Sequence, residues 1–338
     1  MNTKKFAPIG YGLLLLGLII APFAGAYPVF VMKLMTFALF ASAFNLLLGY
    51  TGLLSFGHAA FLGGAAYITG QSIKVWGVTP EIGLLLGLVT GALLGLVMGF
   101  FAIRRQGIYA TMITLALAQM LYFACLQLPF TGGEDGLQGV PRGKLFGVLD
   151  LQSDLTMYYV CLVVVVIAFL VIVRTIHSPF GQVLKGIKEN EPRAISLGYD
   201  TNRFKLLAFV ISAALAGLAG SLKTLVLGFA TLSDVHWSSS GHVVLMTLVG
   251  GLGTLSGPIV GSAVVVLLEN KIGDFGNFLA HLTGVEWFNT LGESVTIVTG
   301  LIFVVCVLAF RRGLMGELIA WLERRRGNGG SNTGGGAH

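Results

Sequence analysis

Asp234, His236 and His242, with Trp237 between them, are the nearest this sequence comes to a set of metal ligands. A histidine pair six residues apart fixes no coordination geometry, so no metal is expected, and Trp237 reads as an interfacial anchor. Cys125, Cys161 and Cys306 each sit inside an apolar run, at spacings that suit neither zinc nor a redox dithiol, and read as small buried hydrophobes. A phosphate-binding loop needs G-x-x-x-x-G-K-[ST]; Gly139-Val140-Pro141-Arg142-Gly143-Lys144-Leu145 has the wrong spacing and lacks the hydroxyl. An active pump built on this chain would therefore draw its energy from another polypeptide. No Ser-His-Asp set or carboxylate pair can be assembled, because the acids lie almost entirely in loops. Neither enzymatic chemistry nor a cofactor is expected.

The remaining candidates are mechanical. Ser178 before Pro179 is a helix-start signal, and Phe180, Val183, Leu184 and Ile187 then recur at helical spacing to make one apolar face. Pro192 permits a second short helix through Ala194 and Leu197, closed at Gly198. Such an amphipathic pair suits a groove on a partner or the lipid interface, and the pattern leaves both open.

A second candidate is an internal echo. Leu48-Gly49-Tyr50-Thr51-Gly52-Leu53-Leu54-Ser55-Phe56-Gly57 resembles Val249-Gly250-Gly251-Leu252-Gly253-Thr254-Leu255-Ser256-Gly257 with one gap. Paired glycine-interrupted segments occur at transport pathways built from repeats, while glycine-rich apolar sequence also matches itself by chance. Gly49, Gly52, Ser55, Gly57, His58, Gly250, Gly253, Ser256 and Gly257 are thus candidate pathway residues. The same glycines would equally serve close helix packing, and His58 would equally serve as a hydrogen-bonded link to a neighbouring helix.

The elements that must position these residues are membrane spans. Of 338 residues, 55% are hydrophobic and only 11% charged, too few charges to cover a water-exposed surface. Stretches of about 20 apolar residues run Ile9–Ala26, Val29–Leu48, Leu53–Ile73, Ile82–Ile103, Ile108–Leu128, Thr156–Val173, Phe204–Leu227 and Ser294–Phe310. Gly241–Leu268 is apolar but broken by Gly250, Gly251, Gly253, Gly257 and Pro258, and reads as two short helical pieces ended near the outer face by Glu269 and Lys271. The expectation is an all-α integral membrane protein, a polytopic bundle of about ten crossings. Lys4, Lys5 and Ala24-Gly25-Ala26 resemble a signal peptide, but another span follows at once, so a retained first helix is expected. One membrane domain covers 1–326 with an internal loop at 174–203, and the glycine-rich tail 327–338 is expected to be disordered.

With the N-terminus inside, fifteen of the 21 basic residues fall on the cytoplasmic side, among them Arg104, Arg105, Lys185, Lys188 and Arg193. The positive-inside rule then places both termini in the cytoplasm. The net charge of +6 reflects this orientation, not nucleic-acid binding, because the basic residues form short clusters between apolar runs.

Glu189-Asn190-Glu191-Pro192-Arg193-Ala194-Ile195-Ser196-Leu197-Gly198 resembles the "EAA" coupling loop of ABC-importer permeases in its branched-chain amino acid version. Gly49–Phe61 is similar to a signature of that family, and Leu206–Gly217 continues the likeness after the loop. Thr131-Gly132-Gly133-Glu134-Asp135-Gly136-Leu137 resembles the family's external loop, and is more typical of its LivM-type than of its LivH-type subunit. The resemblance runs from about Phe37 to Arg312. It implies a multi-pass permease of the cytoplasmic (inner) membrane, paired with a LivH-type second permease, two cytoplasmic ATPases and an extracytoplasmic substrate-binding protein. It implies that Glu189, Asn190, Glu191, Arg193, Ala194, Leu197 and Gly198 belong to the coupling helix. Thr131, Gly132, Gly133, Glu134 and Asp135 are candidates for docking the binding protein.

The implied cargo is leucine, isoleucine or valine, whose zwitterionic head cannot cross lipid unaided. A same-architecture importer of urea or short-chain amides is the alternative. An ion-coupled secondary transporter would need paired intramembrane acids, which the spans lack.

Overall fold

The computed structural model describes residues 3–25, 27–105, 107–283, 300–301, 304 and 313–317. Three residues apart, the expected span Ser294–Phe310 lies outside them, as does the tail 327–338. The described chain is helical almost throughout: α1 Thr3–Ile20, α2 Pro28–Thr51, α3 His58–Lys74, α4 Pro80–Ala102, α5 Ile108–Gln127, α6 Asp154–His177, α7 Pro179–Glu189, α8 Glu191–Ser196, α9 Thr201–Leu227, α10 Trp237–Gly250 and α11 Gly257–Thr283. Its strands are Lys144–Leu145 and Leu149–Asp150, paired as a small antiparallel hairpin. This is the all-α polytopic membrane bundle expected from hydropathy. Five described helices (α2, α4, α5, α6 and α9) are long and apolar enough to cross a membrane.

Helix limits follow from backbone chemistry. Pro28, Pro80 and Pro179 open α2, α4 and α7, where a missing N–H costs nothing. Gly52 and Gly228 end α2 and α9 in the left-handed conformation, with φ of 75° and 77°. The expected break in Gly241–Leu268 is present, since α10 stops at Gly250 and α11 starts at Gly257. Two expectations shift. The span expected from Leu53 starts only at His58, because residues 52–57 turn back as a loop. Helix α11 is not short; it continues through Glu269 and Lys271 to Thr283.

Helix α9 is the central post. It packs on α2, α3 and most extensively on α4. The α4 contact rests on glycine at every fourth position, Gly87, Gly91, Gly95 and Gly99, while Gly83 continues the stripe against Ile73 and Thr69 of α3. A methyl group on Gly91 would lie 3.0 Å from the Gly217 Cα of α9, so the two backbones touch as in small-residue membrane packing. The outer faces of α4, α5 and α6 carry exposed Leu93, Val97, Met120, Phe123, Val163 and Ile167, an apolar belt suited to lipid.

The helices alternate in direction and so define two ends. At one end lie α7, α8, the loop 52–57 and the α10–α11 break; Thr111 at the start of α5 donates to Leu54 O there at 3.2 Å. At the other end the loop 128–153 lies against the connection from α9 to α10, bridged by Leu137 and Ala230.

Candidate coupling site and glycine loops

Helix α7 starts as its sequence dictates: Ser178 Oγ accepts from Gly181 N–H at 3.3 Å and Pro179 follows. Its apolar face is used inside the chain. Leu184 and Ile187 are buried, and Phe180 stacks on Phe204 of α9 at 5.6 Å between ring centroids. Neither a partner groove nor lipid therefore receives that face, because α2, α6 and α9 already cover it. The surface left open belongs to α8 and the turn after it. Ile195, Leu197 and Tyr199 are 56%, 69% and 44% exposed, large apolar side chains on a polar end of the molecule.

The seven expected coupling residues divide into two groups. Asn190 accepts from Arg193 N–H at 3.0 Å and caps α8. Glu191 accepts from Lys205 Nζ at 2.5 Å and from Thr201 Oγ1 at 3.2 Å, which fastens α8 to the first turns of α9. Ala194 is buried, and Gly198 closes the helix at φ 87°. Glu189, Arg193 and Leu197 are exposed. Of the first four, Glu191 ties the short helix to a spanning helix, Ala194 is buried, and Asn190 and Gly198 close its two ends; the last three face outward with Ile195 and Tyr199.

The two echoing segments are adjacent in space and share one backbone feature, although α2 stays helical through Thr51 whereas α10 has already ended at Gly250. Gly52 and Gly253 both adopt the left-handed conformation, at φ 75° and 73°. In each loop a hydroxyl caps the next helix: Ser55 Oγ accepts from Gly57 N–H at 3.1 Å, and Thr254 Oγ1 from Gly257 N–H at 3.0 Å. Thr254 takes that role in place of the aligned Ser256, which is where the gap falls. Both helix pairs reverse at the α7 end, so the α2–α3 and α10–α11 units run the same way and are not inverted. Gly250 ends α10, and its counterpart Gly49 lies in the last turn of α2. A methyl group on Gly49 would lie 2.8 Å from Gly253 N.

Two residues outside the expected set hold this meeting point. Asn45 in α2 donates to Thr254 O at 2.8 Å and accepts from Gly253 N–H at 3.0 Å. Lys188 of α7 donates from Nζ to Gly49 O at 2.7 Å. Asn45 carried a signal in the sequence, as a buried amide inside an apolar span. Lys188 carried only its position one residue before the motif.

His58 opens α3 and is fully buried. Its Nε2 lies 2.9 Å from Ser212 Oγ of α9, and that hydroxyl donates to Ala43 O at 2.6 Å. With its proton so used, Ser212 accepts from Nε2–H. Phe44 and Phe61 flank the ring edge-on, at 4.8 and 5.4 Å. The geometry makes His58 a strut between α3, α9 and α2.

At the opposite end Thr131 is buried and donates to Leu128 O at 2.8 Å, Gly132 and Gly133 turn the chain at φ 80° and 61°, and Glu134 and Asp135 are exposed. The residues that resemble a metal set do not converge. Asp234 pairs with Lys223 of α9, both side chains being 10% exposed, and its other oxygen accepts from Thr231 N–H at 3.2 Å. His236 accepts from Ser238 N–H at 3.4 Å at the start of α10, and His242 Nδ1 lies 3.1 Å from Glu269 Oε1. The described residues contain no cluster of three or more His, Cys, Asp or Glu able to hold a metal ion.

The chain matches the family model described as "Branched-chain amino acid transport system / permease component" over residues 29–310. It is 27% identical over 278 residues to the high-affinity branched-chain amino acid transport system permease protein LivM of Salmonella typhimurium, and equally to that of Escherichia coli. Each match covers 74% of this chain and 64% of the relative, so the chain spans under two thirds of their length. It is also 26% identical over 196 residues to the autoinducer 2 import system permease protein LsrC of Salmonella choleraesuis, covering 56% of this chain and 53% of that one. No solved structure matches the chain.

Proposed function

The chain belongs to the family of branched-chain amino acid transport system permease components, and from that premise we propose that it is one permease subunit of an ATP-driven importer of leucine, isoleucine and valine. In this reading the membrane domain 1–326 pairs with a second, LivH-type permease in the cytoplasmic membrane. Two ATPases dock on the α7 end and an external binding protein delivers the amino acid to the other. The α7 end faces the cytoplasm with both termini, as the basic residues Arg104, Arg105, Lys185, Lys188, Arg193 and Arg203 favour.

The observation that carries the reading is the division within α8. Outward-facing Arg193 and Ile195 of α8, with Glu189 before it and Leu197 and Tyr199 after it, form a small apolar patch rimmed by charge, the composition received by a groove. The inward residues of α8 tie that patch to α9, which packs on α2, α3 and α4. A push on α8 therefore reaches the bundle's centre through one ion pair and one helix. Cargo identity rests on the LivM relatives. The similarity to an autoinducer 2 permease makes another small polar solute the second reading.

The test is purification from mild detergent with identification of the associated chains, followed by uptake in proteoliposomes. Expected are a second permease, an ATPase, and ATP-dependent uptake of labelled leucine. Uptake by this chain alone in vesicles without ATP would overturn the importer reading, and uptake of urea or a sugar in place of leucine would overturn the cargo.

A further inference from the structure

Three segments distant in sequence meet around the last turn of α2. Lys188 comes from the end of α7, its aliphatic stem lying 3.2 Å from the Cβ position that Gly52 leaves empty. Its amine reaches the carbonyl of Gly49, in the C-terminal turn of α2 where carbonyls lack helical partners and a cation is favoured. The same amine lies 4.0 Å from the vacant Cβ position of Gly253. One turn back along α2, Asn45 grips the other loop at both polar edges, accepting from Gly253 and donating to Thr254. The path from α7 to the α10–α11 break thus runs through two side chains and one helix turn.

We propose that Lys188 and Asn45 are positioning residues for transport, passing displacement of α7 to the glycine loop between α10 and α11. The inference rests on the reading that an ATPase moves the α7–α8 unit. Its basis is the kind of contact present. Lys188 sits at the surface on a flexible stem and bonds one carbonyl, so a small shift of α7 either pulls Gly49 with it or releases it. Asn45 is buried and makes two bonds in fixed register, so whatever moves the end of α2 moves residues 253 and 254. Glycines at 49, 52 and 253 keep the three backbones close enough for these contacts; at Gly52 and Gly253 the positive φ also requires them.

The experiment reconstitutes the full complex with its co-purified ATPase and measures leucine uptake and ATP hydrolysis in the same vesicles. A merely structural role would lower both together. Lys188→Met is expected to leave hydrolysis near wild type and raise ATP used per leucine by about fivefold or more, the lower end of ordinary coupling between sites. Lys188→Arg is expected to restore most of the ratio. Asn45→Leu is expected to do as Lys188→Met does, and the double variant to be no worse than the worse single one, because both act on one path. A wild-type ratio in Lys188→Met, or multiplied effects in the double variant, would overturn the proposal. Should Asn45→Leu fail to assemble, the surface variants at Lys188 decide alone. A wild-type complex that takes up leucine without hydrolysing ATP would instead strike the importer reading.

Discussion

The two ends of the bundle are fastened in different ways. The loop end is closed by charge and by paired backbone: Lys223 with Asp234, Thr231 capping that aspartate, Leu137 and Ala230 exchanging hydrogen bonds at 2.8 and 2.9 Å, and Arg142 spanning Asp154 at 2.6 Å and Val226 O at 2.9 Å. Around its glycine loops the α7 end is held by single contacts onto backbone, through Asn45, Lys188 and Ser55, while its ion pair, Glu191 with Lys205, fastens α8 to α9. Buried ion pairs break expensively, whereas one bond from a surface lysine exchanges readily with water. The difference teaches where a conformational cycle has room to begin. The glycine loops at the α7 end can yield in small steps, whereas the loop end holds until a charge is displaced.

The sharpest way to break this comparison is to remove one charge from the rigid end. Lys223→Met leaves Asp234 buried without its ion-pair partner, and the loss is expected to be about 3–5 kcal/mol. Folded yield and thermal stability in detergent should fall steeply, while Lys223→Met with Asp234→Leu should recover much of the loss because no lone charge remains. Single variants as stable as wild type would show that the rigid end owes little to the pair.

The next effect belongs to α8 and should remove function while leaving the chain in the membrane. Glu191→Arg sets two cations against each other beside buried Lys205, and Gly198→Pro demands a φ near −65° where the chain has 87°. Both variants are expected to reach the membrane in normal amount and to show uptake at background. Normal uptake by both would remove α8 from the coupling assignment.

Much of this contrast was legible in the sequence, and the remainder was hidden for identifiable reasons. Hydropathy located α2, α4, α5, α6 and α9 to within a few residues, since continuous apolar runs leave little choice in lipid. Ser178-Pro179 marked the start of α7, and the glycine echo marked two adjacent loops that share a left-handed glycine at Gly52 and Gly253. The apolar face of α7 was legible but its destination was not, because periodicity reports a face without saying what covers it. The start of α3 was misplaced for a related reason: Leu53 and Leu54 are apolar residues in a loop, half-buried between helix ends. Lys223 lies near the end of an apolar run, and the sequence does not show that its side chain is only 10% exposed. Its partner lies eleven residues on, across a turn that composition does not reveal. The every-fourth glycine stripe of α4 is present in the sequence as a packing signal, and what it packs on, chiefly Gly217, Ser221, Ala213 and Phe209 of α9, is not.

A smaller effect is expected from the exposed acids at the rigid end. Glu134 and Asp135 stand on a loop whose backbone is pinned to the α9–α10 connection, so their replacement should leave the fold intact. Reversing both to lysine is expected to weaken stimulation by the external binding protein several-fold at low salt, with less difference at high salt, as rim charges govern encounter more than residence. Stimulation unchanged at either ionic strength would count against docking at this loop.

The smallest effect is expected at His58, where the two modes of fastening meet in one residue. An ionisable side chain at the yielding end would make that end sensitive to pH if its charge took part in the cycle. The ring instead meets a hydroxyl and phenyl rings, donating to Ser212 and lying edge-on to Phe44 and Phe61. Glutamine offers an N–H donor of similar reach and no ionisation in this range. His58→Gln is therefore expected to transport at close to the wild-type rate, with the same dependence over about pH 5.5–8, the window in which histidine ordinarily titrates. A profile flattened or displaced by the substitution would make His58 a proton-linked element. The reading of His58 as a neutral strut would then have to be given up.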